Sequence, residues 1–248
     1  QRYEHALLEV TPENYKADRR VQKLVDKARA PHTARLNRIV GRTAVDLYRK
    51  GVLESTVDNL LADAVREASG ADIGISNGFR FSYPVLTGAV TEEDLYNIFP
   101  MDARIKTGTL TGRQLREFWE QSLEEVFARD AFGQRGGWGP RVSGMEVRIR
   151  LGAPRGQRVV WMKVGGKTVE DDQRYTVASC DRPGDTPEML CRFIGASDTK
   201  VIDSTIQQAM RAYFARRKEV APGEGRVTAE DVSGRVWSQY DLAKKAGK

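Results

Sequence analysis

The residues best suited to chemistry follow a short apolar stretch in the first half of the chain. Asn77-Gly78-Phe79-Arg80 comes directly after 71–76, which has the pattern of a buried strand. In layered sheets, ligands bind in loops that leave the carboxyl ends of strands. Asn77 offers an amide, Gly78 permits an unusual backbone angle, and Arg80 offers a planar fork of donors for an oxyanion. The alternative is an ordinary Asn-Gly turn followed by a solvated arginine.

Two further loops combine glycine with charged or aromatic side chains. One, 132–141, contains Trp138 and Arg141, and the other, 181–187, contains Asp185. If the three loops converge, arginines and Asp185 surround Trp138 and hold an anionic group beside an aromatic face. In the alternative, the loops are simple hairpins and Trp138 fills the edge of a core.

Groups that usually perform catalysis are scarce. The two histidines, His5 and His32, lie in the N-terminal arm and lack a metal-ligand spacing. The sequence contains no nucleophile elbow. Residues 165–168 match the Gly-Lys-Thr end of the Walker phosphate-binding motif. The first glycine of that motif is missing at the required position before them. The chain by itself is therefore predicted to bind a ligand rather than to catalyse a reaction.

Composition is that of an ordinary globular protein. Of the 248 residues, 40% are apolar and 30% charged, and the net charge is +6. The basic side chains are scattered without an RNA motif or zinc-finger spacing, so no nucleic acid is expected as a partner. No membrane span is expected, because no apolar run approaches the roughly 20 residues required. The first residues do not resemble a signal peptide and lack an initiator Met, which predicts a mature or cut piece of something longer.

The two cysteines, Cys180 and Cys191, are too few for a disulfide scaffold. They form either one bridge in an oxidising compartment or a pair of buried free thiols. The sequence leaves both possibilities open.

The hydrophobic pattern predicts an α+β fold, a mixed β-sheet with helices packed against it. Three helices have clear starts at Ser55, Thr91 and Thr111, and the first ends at Gly70. A helix is also expected near 203–217, and a short one directly after the 181–187 loop. Strands are predicted at 39–48, 71–76, 104–110, 142–151, 159–164 and 175–180.

Residues 1–40 differ from the rest of the chain. The stretch 3–10 is predicted as a strand, and Thr11 as the start of a helix that Pro31 interrupts. In this predicted helix the apolar residues recur at helical spacing, but they form only a narrow stripe among many charged residues. This pattern predicts a linking helix that packs on a body not wholly contained in this chain.

Four segments, in order along the chain, resemble the C-terminal domain of the 5′-nucleotidase family. These segments are 54–77, 91–100, 110–115 and 142–145. The first contains the Asn59-Leu60-Leu61-Ala62-Asp63-Ala64 helix, and the last contains Val142-Ser143-Gly144. Each motif alone is weak, but the series is specific and covers roughly residues 40–220.

The resemblance implies a two-domain hydrolase. In that family a metallophosphoesterase domain precedes this one and holds two metal ions with the catalytic His and Asp residues. The C-terminal domain supplies the residues that recognise the substrate. Residues 1–40 would be the end of the metal domain and the interdomain linker helix, and residues 41–248 the substrate-binding domain. This chain alone would then be inactive.

Departures from the family pattern point to one branch of it. Nucleotidases stack the base between two aromatic rings, and Trp138 stands in for one of them. The other position, about Ser179 or Cys180, is not aromatic, and each stacked base is worth about 1–3 kcal/mol. The Asn77-Gly78-Phe79-Arg80 sequence and the Trp138 loop most resemble the SoxB-like thiosulfohydrolases of bacterial sulfur oxidation.

That branch implies a periplasmic enzyme with two manganese ions in its own N-terminal metallophosphoesterase domain. It implies release of sulfate from a sulfonated cysteine on the flexible arm of a SoxYZ-type carrier protein. A sulfonate is anionic and tetrahedral like phosphate, so two-metal hydrolytic chemistry can be reused. Arg80 would hold a sulfonate oxygen, with Asn77 positioning Arg80 or the ligand. Trp138 and Arg141 would line the channel for the arm, and Asp185 would orient its loop.

Two other functions fit the same residues. One is an ordinary 5′-nucleotidase or 2′,3′-cyclic phosphodiesterase, still with its metals elsewhere. The other is a non-catalytic binding module for an acidic protein partner, which the mildly basic charge favours.

Overall fold

The computed structural model divides the chain into two compact units, residues 1–38 and 39–248. The structure describes residues 3–49, 51–76, 79, 82–191 and 193–232, with only the backbone of Ala131. The assignment of residues 1–40 to the end of a metal domain stays a prediction.

One regular helix dominates the first unit. Helix α1 (Arg19–Arg29) begins after Asp18, whose carboxylate accepts two of the first free amides of the helix. A 3₁₀ turn over Ala30–His32 and a short helix α2 (Thr33–Leu36) follow. None of the residues in α1 is buried in the described chain. Its exposed large apolar side chains are Val21, Leu24 and Val25.

Two predictions for this unit were wrong. The stretch 3–10 forms no strand, because a strand needs ladder hydrogen bonds from a neighbour and the described residues provide none. Thr11 begins a single turn, closed by the amide of Tyr15, and not a helix. The helix starts where Asp18 supplies a cap.

The second unit is an α+β domain, as predicted. Its helices are α3 (Thr56–Ser69), α4 (Glu92–Ile98), α5 (Gly112–Phe127) and α6 (Ile206–Ala215). Its strands are β1 (Ile39–Thr43), β2 (Ile73–Ser76), β3 (Gly88–Thr91), β4 (Arg104–Thr111), β5 (Arg141–Ser143), β6 (Met145–Ile149), β7 (Val159–Val164), β8 (Lys167–Thr168), β9 (Arg174–Cys180), β10 (Ser197–Thr205) and β11 (Val227–Ala229). Among the helices that the structure describes, none is both long and apolar enough to cross a membrane.

A mixed five-stranded sheet forms the centre of the described second unit. Its order is β10-β4-β9-β2-β5, with β2 and β9 parallel and the other pairs antiparallel. A four-stranded sheet, β11-β6-β7-β8, and the β1-β3 pair complete the described strands. One core cluster joins the sheet to α3 and α6, and a second joins it to α5 and the smaller sheet. Strand β2 therefore ends between two buried layers.

Strand β2 and helix α3 approach each other very closely at Gly74. Ile73 and Ile75 point into the second core cluster, so the side of Gly74 faces α3. A methyl group at Gly74 would lie 2.2 Å from the carbonyl oxygen of Ala62 and 2.6 Å from the Cβ of Arg66. The absence of a side chain at this position allows the helix to lie flat on the strand.

We expect Gly74→Ala to lower the free energy of unfolding by about 1–3 kcal/mol, because the new methyl overpacks a helix backbone that cannot move aside. Urea denaturation measures the change. The matched control is Gly223→Ala, since no described atom lies within 4 Å of its added methyl. Equal stability of the two variants would contradict the close approach.

Three further secondary-structure predictions were corrected. The predicted strand 142–151 is two strands in different sheets, because Gly144 has a φ of +76° and turns the chain. Strand β10 was not predicted, since it is a polar edge strand with mostly exposed residues. The short helix expected after 181–187 is absent from the described residues, where turns and a Leu190–Phe193 bridge take its place.

Candidate functional site

The structure describes three of the five predicted site residues. Asn77 and Arg80 lie outside the described residues, and their roles stay predictions. Trp138 and Arg141 lie together, with the Arg141 Cζ 5.2 Å from the centroid of the Trp138 ring. Asp185 belongs to the loop after β9 and is described below.

A buried carboxylate, Asp58, ties the end of β2 to two arginines. Its oxygens accept hydrogen bonds at 2.7 Å from the hydroxyls of Ser55 and Ser76. The Nη1 of Arg49 donates to it at 2.9 Å, and the Nε of Arg141 lies 3.4 Å from it. Since Ser76 is the last residue of β2, this network fixes the point from which the Asn77 loop leaves the sheet.

Both arginines are almost fully buried, at 2% exposure, and also donate to backbone carbonyls. Arg141 donates to Gly51 and Gly139, and Arg49 donates to Ile98. Burial lowers the pKa of Arg49, and the charge of Asp58 opposes that effect. The position of Arg141 is therefore a supporting one beneath Trp138, and its predicted contact with a substrate arm stays a prediction.

A cavity of about 390 Å³ opens between Phe79 and the loop after β9, and the Phe79 ring centroid lies 5.8 Å from the Cζ of Arg49. This volume is within the range of small-ligand pockets, about 300–1,000 Å³. Its described lining residues are Phe79, Phe99, Met101, Ala103, Cys180, Arg182 and Pro183. The Phe79 and Phe99 rings pack on each other with centroids 4.9 Å apart, at 56°. The wall is thus mostly apolar, with one described cation.

That cation, Arg182, is held in place by the predicted site residue Asp185. The carboxylate accepts two hydrogen bonds from the guanidinium, at 3.0 and 2.9 Å, and raises the pKa of Arg182. Arg182 also donates to the carbonyl of Cys191. Its side chain is 37% exposed, so its remaining surface can meet a ligand. Asp185 thus pairs with Arg182 within its own loop, and its predicted role in orienting that loop for a substrate stays a prediction.

The loop that contains Arg182 is anchored to strand β4. The amide of Asp181 donates to the carbonyl of Arg104 at 2.8 Å. Lys106, which is 5% exposed, donates from its Nζ to the carbonyl of Thr186 at 3.0 Å. A nearly buried ammonium therefore holds the far side of the loop against the sheet.

We expect Lys106→Met to loosen this loop, because methionine fills the space but donates no hydrogen bond to Thr186. One hydrogen bond to a charged group is worth about 1.5–3 kcal/mol, so amide exchange over 181–190 should accelerate about tenfold or more. Hydrogen-exchange mass spectrometry of the peptides covering this segment gives the rate. The exposed Lys200→Met on β10 is the matched control and should leave it unchanged. An unchanged rate in Lys106→Met would remove Lys106 from the anchor.

The two cysteines are free and buried. A hydrogen bond to the Cys191 thiol and burial raise the pKa of Cys180 well above its usual range. Cys180 lines the cavity, so its neutral thiol is part of the wall. Of the two possibilities that the sequence leaves open, the structure has the free pair.

Sequence reasoning missed several residues of this site. The charged partners Arg49, Asp58 and Arg182 were not singled out, nor were the rings Phe79 and Phe99 as a pair. The Arg182–Asp185 spacing of three residues within a Pro-Gly turn is a local signal that was available. No comparable signal was available for Arg49, because the sequence does not show that it contacts Asp58, and only the folded structure brings them together.

The described residues do not suit a two-metal centre. Within the part of the chain that the structure describes, no group of three or more His, Cys, Asp or Glu side chains is arranged to hold a metal ion. Asp185, which lies beside the cavity, is already paired with Arg182.

The fold is that of an α+β domain with a cavity beside the end of its central sheet. Residues 34–181, more than half of the chain, match the family model of the 5′-nucleotidase, C-terminal domain. The chain belongs to this family, whose members are hydrolases, and the predicted resemblance is confirmed.

Individual relatives agree with this membership. The chain is 32% identical over 156 residues to the trifunctional nucleotide phosphoesterase protein YfkN of Bacillus subtilis, a match that covers 58% of this chain and 10% of the relative. Over 98 residues it is 31% identical to the endonuclease YhcR of the same organism, covering 38% of this chain and 8% of the relative. The chain thus spans about a tenth of the curated relatives it matches.

Solved structures share the fold. The sulfate thiohydrolase SoxB of Thermus thermophilus superposes with a TM-score of 0.73 at 24% identity, covering 87% of this chain and 39% of that one. A 5′-nucleotidase precursor, also from Thermus thermophilus, superposes with a TM-score of 0.75 at 20% identity, covering 91% and 46%. At sequence identities of 24% and 20%, these superpositions show a shared fold and nothing further.

Proposed function

We propose that this chain is the substrate-binding C-terminal part of a two-metal hydrolase that releases sulfate from a cysteine S-sulfonate. The sulfonated cysteine is presented on the flexible arm of a SoxYZ-type carrier protein. The reaction adds water across the sulfur–sulfur bond, so that the thiol and sulfate separate. Membership of a hydrolase family and the fold shared with a sulfate thiohydrolase support this proposal.

The shape of the cavity wall is the observation that supports the proposal most strongly. A nucleobase stacked between two rings needs about 7 Å between them, twice the contact distance of about 3.5 Å. The Phe79 and Phe99 centroids are 4.9 Å apart, so no base fits between these rings. The remaining described wall consists of Met101, Ala103, Cys180, Arg182 and Pro183, and it contains no further aromatic ring. This wall suits a narrow apolar arm with an anionic tip.

The charged groups suit such a tip. Arg182 is fixed by Asp185 yet partly exposed, so it is preorganised to donate to a sulfonate oxygen. Arg80 and Asn77, which lie outside the described residues, are proposed as the second set of donors. Trp138 is proposed to line the approach of the arm, above the buried Arg141.

The metal ions belong to the proposal as well. Two manganese ions would have to be held by a separate N-terminal metallophosphoesterase domain, since the described residues do not fit them. The exposed apolar stripe of α1 supports contact with such a domain. A periplasmic location follows from the proposed carrier.

The runner-up is a nucleotide phosphoesterase, which the name of the YfkN relative favours. The two functions are separated by comparing substrates in the catalytically complete protein. Sulfate release from an S-sulfonated carrier peptide should exceed phosphate release from AMP by about 10²-fold or more in kcat/KM, since a pocket without a base clamp loses stacking energy. Comparable values for the two substrates would overturn the thiosulfohydrolase proposal in favour of the nucleotidase.

A further inference from the structure

The cysteines stand at the two ends of the segment that contains Arg182. Cys180 is the last residue of β9 and lines the cavity. Cys191 follows Leu190, whose amide and carbonyl both pair with Phe193. The two side chains are buried, at 4% and 1% exposure.

Arg182 brings the two ends together. It lies two residues after Cys180 and donates to the carbonyl of Cys191. Its guanidinium lies near both cysteine side chains. The Cys180 thiol is hydrogen-bonded to the Cys191 thiol, and this contact together with burial raises the pKa of Cys180, so the resting pair is neutral. Because Cys180 lines the cavity, a small disulfide that enters the cavity can reach this pair and exchange with it.

We propose that Cys180 and Cys191 form a redox-active pair that a low-molecular-weight disulfide oxidises to an intramolecular disulfide in the cavity wall. One thiolate attacks a sulfur of the external disulfide and releases its first half as a thiolate. The second thiolate then attacks the mixed disulfide and expels the other half. The two cysteine protons pass to the released thiolates, so that one disulfide is reduced and one is formed.

Oxidation would reshape the proposed ligand cavity. The sulfurs must move from hydrogen-bond contact to a bond of about 2.05 Å, which changes the position of the Cys180 side chain in the cavity wall. The covalent loop then encloses Arg182 and Asp185, and Arg182 follows the carbonyl of Cys191. The pair is therefore a modification site that acts on the cavity whatever its substrate is, and the inference does not depend on the proposed function.

The test is simple because the chain contains only these two cysteines. The full chain is equilibrated in mixtures of reduced and oxidised glutathione, starting both from the reduced and from the oxidised protein. Thiols are then counted after denaturation, and the intact mass is measured without reductant. In oxidising mixtures we expect two thiols to fall to none, a mass loss of two hydrogens, and a monomer on a non-reducing gel. Amide exchange over 181–190 should be slower in the oxidised form.

Cys180→Ser and Cys191→Ser are the controls. Each has one thiol, so each should give a glutathione mixed disulfide or a dimer without slower exchange over 181–190. Two thiols persisting in the wild type at the oxidising end, from both starting states, would overturn the proposal. Mixed disulfides or dimers as the only wild-type products would also overturn it. The mass and thiol count of the wild type decide the outcome even if a serine variant fails to fold.

Discussion

Replacing Asp58 with alanine should destabilise the second unit by about 3–5 kcal/mol. Asp58 is fully buried and lies between two arginines that are themselves buried. Removing the carboxylate leaves two guanidinium groups in the interior without a balancing charge. It also removes the acceptor of the Ser55 and Ser76 hydroxyls.

Urea denaturation of the variant measures this loss, and Asp172→Ala is the matched control. Asp172 pairs with Arg113 at 3.2 Å, but its side chain is 95% exposed, and exposed pairs contribute about 0–1 kcal/mol. The difference between the two variants isolates the effect of burial. A loss below about 1 kcal/mol for Asp58→Ala would mean that the two buried arginines do not depend on this carboxylate.

Replacing Arg182 with glutamine should weaken binding of an S-sulfonated cysteine peptide by about 10- to 100-fold. Arg182 is the described cation of the cavity wall, and a hydrogen bond to a charged group is worth about 1.5–3 kcal/mol, or one to two factors of ten. Glutamine keeps a polar side chain of similar reach but has no charge and no planar fork. Titration calorimetry on the folded chain gives the two dissociation constants.

Arg174→Gln provides the comparison for this variant. Arg174 is also paired with an aspartate, Asp198, but it lies at the start of β9, far along the strand from the cavity. Its substitution should leave the affinity unchanged, although it removes the same charge from the protein. Equal losses in both variants would assign the effect to net charge, and no loss in Arg182→Gln would exclude Arg182 from the ligand site.

Local signals in the sequence were enough to place the main helices. Ser55, Thr91 and Thr111 cap α3, α4 and α5 as predicted, and Gly70 ends α3 with a φ of +67°. Such signals work because a cap is a hydrogen bond within four residues of the chain. Strand β10 could not be found in this way, since its polar edge sequence forms a strand only because β4 pairs with it.

The candidate site was less predictable for the same reason. Trp138 and Arg141 were predicted in one loop and lie beside each other, since they are three residues apart, but their role in lining a channel stays a prediction. The Arg49–Asp58–Arg141 network joins three separate segments, and no spacing along the chain reveals it. Glycine loops showed where a site was to be sought, but the fold decided which arginines are buried and which one faces the cavity.

We propose that this cavity recognises a small anionic group on an apolar arm and not a nucleobase. The most direct test follows the methyl resonance of Met101, which lines the cavity and is one of five methionines in the chain. We predict that an S-sulfonated cysteine peptide shifts the Met101 signal in the wild type, and does so only at much higher concentration in Arg182→Gln. Adenosine and AMP should leave the signal in place. A shift of Met101 by adenosine at lower concentrations than by the sulfonated peptide would show that the cavity prefers a nucleobase.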